Sequence, residues 1–287
     1  MKHFKIFQIF AILLLFISQL GYAQVKIGAK VGYSLGKLAT STENIYTDEF
    51  STTDGMDWGM FVEIPINETV SIQPEFNFTH RGGLRDGSQP VQTEPLAEAF
   101  EEIGFSLSQL NQLIFFSGGQ PITNENPFYA DYYSESDLRY LEIPVLVKLG
   151  WGSNWRFYVE AGPSMAVLLS ANQVTRGESQ LYYDLGLTDP LKIPNAEFPN
   201  GPPFLDIEAP AIPFDAETDI NNDIENISIG VQAGVGLIKI FGRSEVFLDA
   251  KVSYGLSTIQ RDSTFGESSV GGVIFSIGYS YRLGDAL

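Results

Sequence analysis

Two groups of residues in this chain have the types and spacing for chemistry. The first is Asp215, Glu217, Asp219, Asn221 and Asp223, oxygen-bearing side chains at alternate positions, as at the start of a calcium loop. The EF-hand pattern fails here: no glycine stands at the sixth position, and the twelfth residue from Asp215 is Asn226 instead of glutamate. Asp215, Glu217, Asp219 and Asp223 are therefore expected to form a solvated acidic stretch, with a weak divalent-cation site as the sharper alternative. The second group is His80 with Asp86 or Asp137, a pair suited to general acid–base work. His80 is the single histidine after residue 23, so a multi-histidine metal site is not available and a hydrolytic triad would have to use this residue. Gly234-Val235-Gly236 lies within a strand pattern and precedes no helix, so it does not read as a phosphate cradle. There is no cysteine, which excludes a disulfide framework and a thiolate metal site. The expectation is a non-enzyme without a cofactor, with His80 an ordinary hydrogen-bonded residue.

A third set of charged residues makes sense only through the elements that carry it. Eight stretches alternate apolar and polar residues with the period of two that gives a strand two unlike faces. In the first, Val25, Ile27, Ala29, Val31, Tyr33 and Leu35 oppose Lys26, Gly28, Lys30, Gly32, Ser34 and Gly36. The others run around Trp58–Ile66, Val70–Thr79, Leu141–Leu149, Arg156–Val167, Ile227–Leu237, Glu245–Tyr254 and Val273–Leu283. Their polar faces hold Lys26, Lys30, Lys148, Arg156, Lys251 and Arg282 against Glu63, Glu75, Glu142, Glu160, Glu245 and Asp249, which is charge-neutral. A basic side chain facing lipid at mid-membrane costs about 2–4 kcal/mol, so in a membrane barrel this face must line the lumen. Eight strands enclose only enough room for side chains, and the charges read as a structural network, not a conduction path. Pro74 and Pro144 suggest local bulges or a shifted register.

The pattern also fits a soluble lipocalin-like barrel with apolar residues inward. Aromatic residues near strand ends favour the membrane: Trp151, Trp155 and Phe157 by one turn, Phe241 by another, Tyr279 and Tyr281 near the end of the chain. Lys2 and Lys5, the apolar run Ile6–Ile17 and the small residues before Gln24 read as a secretory signal over residues 1–23. That run is too short to span a bilayer. Residues 24–287 are then one barrel domain with large insertions at about 81–139 and 170–226. The chain's net charge is −18, and loss of Lys2 and Lys5 takes it to −20. All of that excess falls in the four long connections. Nucleic acid is disfavoured as a partner, since clustered Lys and Arg are missing. Within the first insertion, Leu96, Phe100, Ile103, Leu107, Leu110 and Ile114 predict an amphipathic helix over Pro95–Phe116, either a lid on the barrel mouth or an apolar surface for a partner.

The segments VSIQPEFNFTHRGG, RYLEIPVLVKLG, FYVEAGPSMAVLL, IGVQAGVGLIK, FLDAKVSYGL and FSIGYSYRLG resemble, in order, successive strands of the PorT-like outer-membrane β-barrel family. Its most specific pieces are Gln73-Pro74-Glu75 and Leu141-Glu142-Ile143-Pro144. The resemblance implies an all-β, eight-stranded, antiparallel up-and-down barrel in the bacterial outer membrane, with both termini in the periplasm. Some members of that family are associated with type IX protein secretion. The expected function is a monomeric, non-enzymatic scaffold that displays acidic extracellular loops. The expected partners are outer-membrane lipid and a surface protein, a glycan, or lipopolysaccharide reached through divalent cations. An accessory part of a secretion apparatus is the alternative, and a rim hydrolase or acyltransferase comes third.

Overall fold

The computed structural model describes residues 25–40, 44–46, 50–102, 104, 106–116, 119–194 and 205–283. The proposed signal segment lies outside the described residues. Eight strands form a closed antiparallel ring: β1 (Lys26–Thr40), β2 (Thr53–Pro65), β3 (Val70–Val91), β4 (Phe128–Gly152), β5 (Trp155–Arg176), β11 (Ile227–Phe241), β12 (Ser244–Gly255) and β13 (Ser268–Arg282). β13 pairs with β1 from Lys26↔Arg282 to Thr40↔Ser268, which closes the ring and leaves no free edge among these strands. Among the described residues between β5 and β11 lie five short strands: β6 (Glu178–Ser179), β7 (Lys192–Pro194), β8 (Leu205–Glu208), β9 (Ile212–Pro213) and β10 (Ala216–Asp219). The apolar faces of the eight long strands are exposed, as at Ile27, Met60, Phe76, Val147, Phe157, Val235, Leu248 and Ile277. No helix among the described residues is long and apolar enough to cross a membrane.

Sequence sets the tight ends. Asn67 accepts hydrogen bonds from the backbone N–H groups of Thr69 and Val70, an Asx turn that reverses the chain between β2 and β3. Gly242, at φ 64, supplies the left-handed residue of the two-residue link from β11 to β12. The prolines do not bulge the sheet. The β2–β3 register is the same on either side of Pro74, and the β4–β5 register is the same on either side of Pro144. The shift in β4–β5 falls between Arg139 and Tyr140 instead, where Leu169 is the extra residue opposite.

The two central strands outgrow the ring. β3 and β4 stay paired to Val91↔Phe128, ten residues past Arg81 and so roughly 30 Å along the ribbon. Both ends of the expected 81–139 loop, 81–91 and 128–139, are therefore strand. Alternation continues through Leu84, Asp86 and Ser88, but the short polar residues hide it. The ribbon carries a headpiece, in which Val91, Phe128, Ala130, Leu181 and Leu191 pack with two helices, α1 (Thr93–Glu102) and α2 (Leu107–Phe116). The predicted single helix over Pro95–Phe116 is thus two. Gly104, at φ 78, breaks it with a backbone conformation a helix cannot hold. Leu96, Leu110 and Ile114 do face one core, and that core belongs to the headpiece.

Candidate functional site

The inward face of the ring is a stack of layers. At the end of the short turns, the Lys26 ammonium lies 3.1 Å from Glu63 and 2.9 Å from Glu245, and Lys148 lies 3.3 Å from Glu63. Arg282 reaches Glu245 at 3.4 Å. Four inward apolar side chains, Phe61, Tyr158, Ile238 and Phe247, pack together beside this layer, with the Lys148 ammonium 3.9 Å from the centre of the Tyr158 ring. Three of these fit because glycine stands opposite. Phe61 pairs with Gly28, Tyr158 with Gly236 and Phe247 with Gly278, and a Cβ on any of these glycines would collide with the ring. The lumen-face glycines visible in the sequence are the sockets for rings that the alternation did not single out.

The middle layer centres on Lys251, 2 % exposed along its side chain. Its ammonium lies 2.7 Å from Glu75, 2.6 Å from Glu160 and 3.8 Å from Asp249, and Lys30 adds a second contact to Glu75 at 2.6 Å. Gln73 and Asn77 donate to Glu75, and Tyr158 and Ser276 donate to Asp249. Glu75 and Asp249 are thus held by several donors, while Glu160 meets only the Lys251 ammonium, and buried charge is tolerated where it is paired in this way. Above it, Arg81 bridges Asp57 at 3.0 Å and Glu142 at 3.3 Å. The twelve expected lumen residues all lie on the inward face. Arg156 is the one that finds no carboxylate, donating instead to the backbone oxygens of Glu68 and Gly150 at the turn end. Asp57 and Arg81 lie outside the alternating stretches of the sequence, yet both belong to the lumen. Strand ends are hard to place when an arginine ends the apolar alternation, and Arg81 is 3 % exposed.

The far end of the lumen is closed by a second apolar cluster: Leu38, Leu138, Tyr140, Ala166, Ala171 and Val270 from the strands, with Ile224 and Ile259 brought in by the long connections. Phe50, Leu168 and Ile220 pack against it. Hydrogen bonds from Glu225 N to Ile259 O and from Arg261 to Asn222 O and Asn226 Oδ1 tie those two connections together. Tyr46 then ties the first connection to the second, donating to Asn124 O, and meets Phe265 of the fourth edge to face. A polar chamber is left between two apolar stoppers.

Of the residues with catalytic or metal-binding spacing, His80 and Asp137 come together and the acidic stretch does not assemble. His80 Nε2 lies 2.9 Å from Asp137, which also meets Arg139 at 3.1 Å, so Asp137 and not Asp86 is its partner. Asp215 accepts from Gly177 N, and Asp219 accepts from the backbone and side chain of Asn221. β10 spreads Glu217 and Asp219 along an exposed strand that pairs with β5. Among the described residues no group of three or more histidine or acidic side chains is placed to hold a metal.

In the headpiece, burial pushes the Tyr132 phenol up to about 12, with Arg85 opposing the shift, and the ring stacks on Phe214 at 4.5 Å. Burial, and then the nearby Asp189 carboxylate, raises Tyr183 to about 12. Asp184 is held below the usual carboxylate range, chiefly by the Asp189 backbone N–H.

A closed ring with a greasy exterior and a paired-charge interior defines a transmembrane β-barrel of the outer-membrane type. The chain belongs to the family of the outer membrane protein beta-barrel domain, whose model matches residues 18–261. Solved structures similar to it include Neisserial surface protein A, with 8% identity, a TM-score of 0.36, and coverage of 91% of this chain and 97% of that one. The N-terminal β-barrel domain of Pseudomonas aeruginosa OprF gives 8% identity and a TM-score of 0.36, over 91% of this chain and 99% of that one. The attachment invasion locus protein Ail of Yersinia pestis, solved with the heparin analogue sucrose octasulfate, gives 7% identity and a TM-score of 0.34, over 90% and 99%. No curated protein sequence matches. The narrower PorT-like resemblance is not reached by these matches, which support the outer-membrane barrel family as a whole.

Proposed function

We propose that this chain is a non-enzymatic outer-membrane scaffold whose sealed barrel holds an acidic headpiece outside the cell for binding to a surface partner. The observation that carries this is the headpiece core, in which Phe128, Ala130, Leu110 and Ile114 are essentially fully buried at the tip of the β3–β4 ribbon. A loop with no task beyond linking strands has no need of its own core. In this reading the short turns and both termini face the periplasm and the long connections face out, as in bacterial barrels generally. The headpiece offers a surface of mixed character: α1 exposes Glu94, Glu98 and Glu101, while α2 leaves Phe115 66% and Phe116 80% exposed beside each other. Replacing residues 92–127 by Asn-Gly between Val91 and Phe128 tests it. The expected outcome is a barrel that keeps heat-modifiable gel migration while cells lose binding to protein and glycan arrays. Unchanged binding contradicts the reading, and collapse of protein export with binding intact favours the secretion-apparatus alternative.

A further inference from the structure

The lipid-facing wall of the ring carries an isolated charge. Among the described outward-facing residues between the tight turns and the level where His80 stands opposite Arg139, Lys239 of β11 is the single charged side chain. Its neighbour Ile238 packs in the lumen cluster, which puts Lys239 on the outer face of the strand. In register Lys239 stands between Trp155 of β5 and Val246 of β12, and its ammonium lies 4.7 Å from the centre of the Trp155 ring and 5.9 Å from that of Phe241. No carboxylate among the described residues pairs with it. A lysine is tolerated on such a wall near the interface, where its stem lies along apolar surface and its ammonium reaches the headgroups. Its countercharge comes from outside the described chain.

The same patch holds hydrogen-bond donors at matching height. Ser244 Oγ and the Tyr279 hydroxyl lie 2.8 Å apart on the exposed face, and Val246 pairs with Lys239 on one side and with Tyr279 on the other. The hydroxyls are therefore two strands from the ammonium, about 10 Å, a span that a phosphate and the glycerol attached to it can bridge. On the lumen side of the same turn, Arg156 also meets no carboxylate and donates to backbone oxygens, so it adds positive charge next to Trp155. Towards the middle of the wall the patch runs into exposed Val235, Leu248 and Ile277. A free phosphate ion has no use for that apolar surface, whereas the acyl chains of a lipid cover it.

We propose that the wall spanning β5, β11, β12 and β13 around Lys239 is a binding site for one anionic phospholipid. The Lys239 ammonium holds the phosphate, Trp155 and Phe241 fix the ammonium in place from the sides, and the Ser244 and Tyr279 hydroxyls donate to the headgroup. A charge-assisted hydrogen bond from an ammonium to a phosphate is stronger than one to water, and aromatic walls exclude water from around it. Charge sets the selectivity. A zwitterionic headgroup brings a second cation beside Lys239 and leaves the excess charge in place, while an anionic one removes it. The site is independent of what the headpiece binds.

Trp155 is a built-in reporter. The chain has three tryptophans, and Trp58→Phe with Trp151→Phe leaves Trp155 alone to be quenched by lipids with brominated acyl chains. In phosphatidylcholine vesicles, brominated phosphatidylglycerol is expected to associate with the site about fivefold more strongly than brominated phosphatidylcholine, the effect of one interfacial lysine on one anionic lipid. Lys239→Gln should remove that preference, Tyr279→Phe should lower it, and Lys37→Gln at the far end of β1 should leave it unchanged. Equal quenching by the two lipids overturns the proposal. So does a preference that survives Lys239→Gln, or one that Lys37→Gln lowers as much, which would make it an effect of net charge alone. Loss of the preference when inorganic phosphate is added at constant ionic strength overturns the assignment to a lipid. If the two tryptophan replacements prevent folding, native mass spectrometry of the unaltered chain must show one retained phosphatidylglycerol that Lys239→Gln loses.

Discussion

The barrel and the headpiece solve the same problem with opposite materials. In the barrel the interior is polar, with Glu75, Glu245 and Lys251 among its most buried side chains, while Ile, Val and Phe face out. In the headpiece, ten residues farther along the same two strands, Phe128 and Ala130 are buried and Glu94, Glu98 and Glu101 are out. The solvent explains the inversion. A lipid-facing wall pushes charge inward, where it must be paired, and a water-facing wall pulls it outward. The contrast teaches that β3 and β4 change environment along their length, at about the Arg81 layer and the Tyr140 stopper above it.

That difference can be broken most severely from the barrel side. Lys251→Met leaves Glu75, Glu160 and Asp249 with no shared ammonium and is expected to cost about 3–5 kcal/mol, read as a lower urea midpoint or loss of the folded band on unheated gels. From the other side, Phe128→Ala empties the headpiece core at about 3 kcal/mol. Its effect should be local: new protease cleavage within residues 92–127, with barrel migration unchanged. Loss of the barrel band would join the two regions into one folding unit.

Alkali separates them more gently. Tyr132 and Tyr183 have folded pKa values of about 12 against the usual phenol value, so their neutral forms stabilise the headpiece. That contribution is present in full below about pH 10 and is lost as pH rises through about 12, because the unfolded chain ionises first. For Tyr132, allowing for partial exposure of its ring, about 1–2 kcal/mol should disappear across that window. Headpiece proteolysis followed from pH 9 to 12 measures it. The smallest expected effect is His80→Ala, under about 1 kcal/mol, since the His80–Asp137 pair sits partly exposed at the barrel rim. A larger loss in its unfolding midpoint would place His80 in the structural network.

The sequence carried the barrel and most of the lumen because period-two alternation in a membrane strand has only one physical reading once charge is assigned to the inside. Twelve lumen charges are legible that way. Asp57 and Arg81 are not, since each lies where the outward apolar residues give out: Asp57 follows the polar run of the first connection, and Arg81 precedes paired glycines. The stoppers are less legible still. Phe61, Tyr158 and Phe247 sit on the polar face and break the alternation, and only the cross-strand register shows that Gly28, Gly236 and Gly278 receive them. Ile224 and Ile259 come from connections whose three-dimensional path no local pattern encodes. The headpiece ribbon is illegible for the converse reason: its β3 arm is written in Gly, Ser, Asp and Gln, which locally read as loop.

The central claim is that the lumen is a sealed, filled core and that the work of the molecule lies outside it. Recording single barrels in planar bilayers of phosphatidylcholine tests this most directly. The stoppers formed by Phe61, Tyr158, Ile238 and Phe247 at one end, and by Tyr140, Ile224 and Ile259 at the other, predict a silent trace with no steady current across a ramp of applied voltage. A stable, ohmic conductance from the unaltered chain would contradict it.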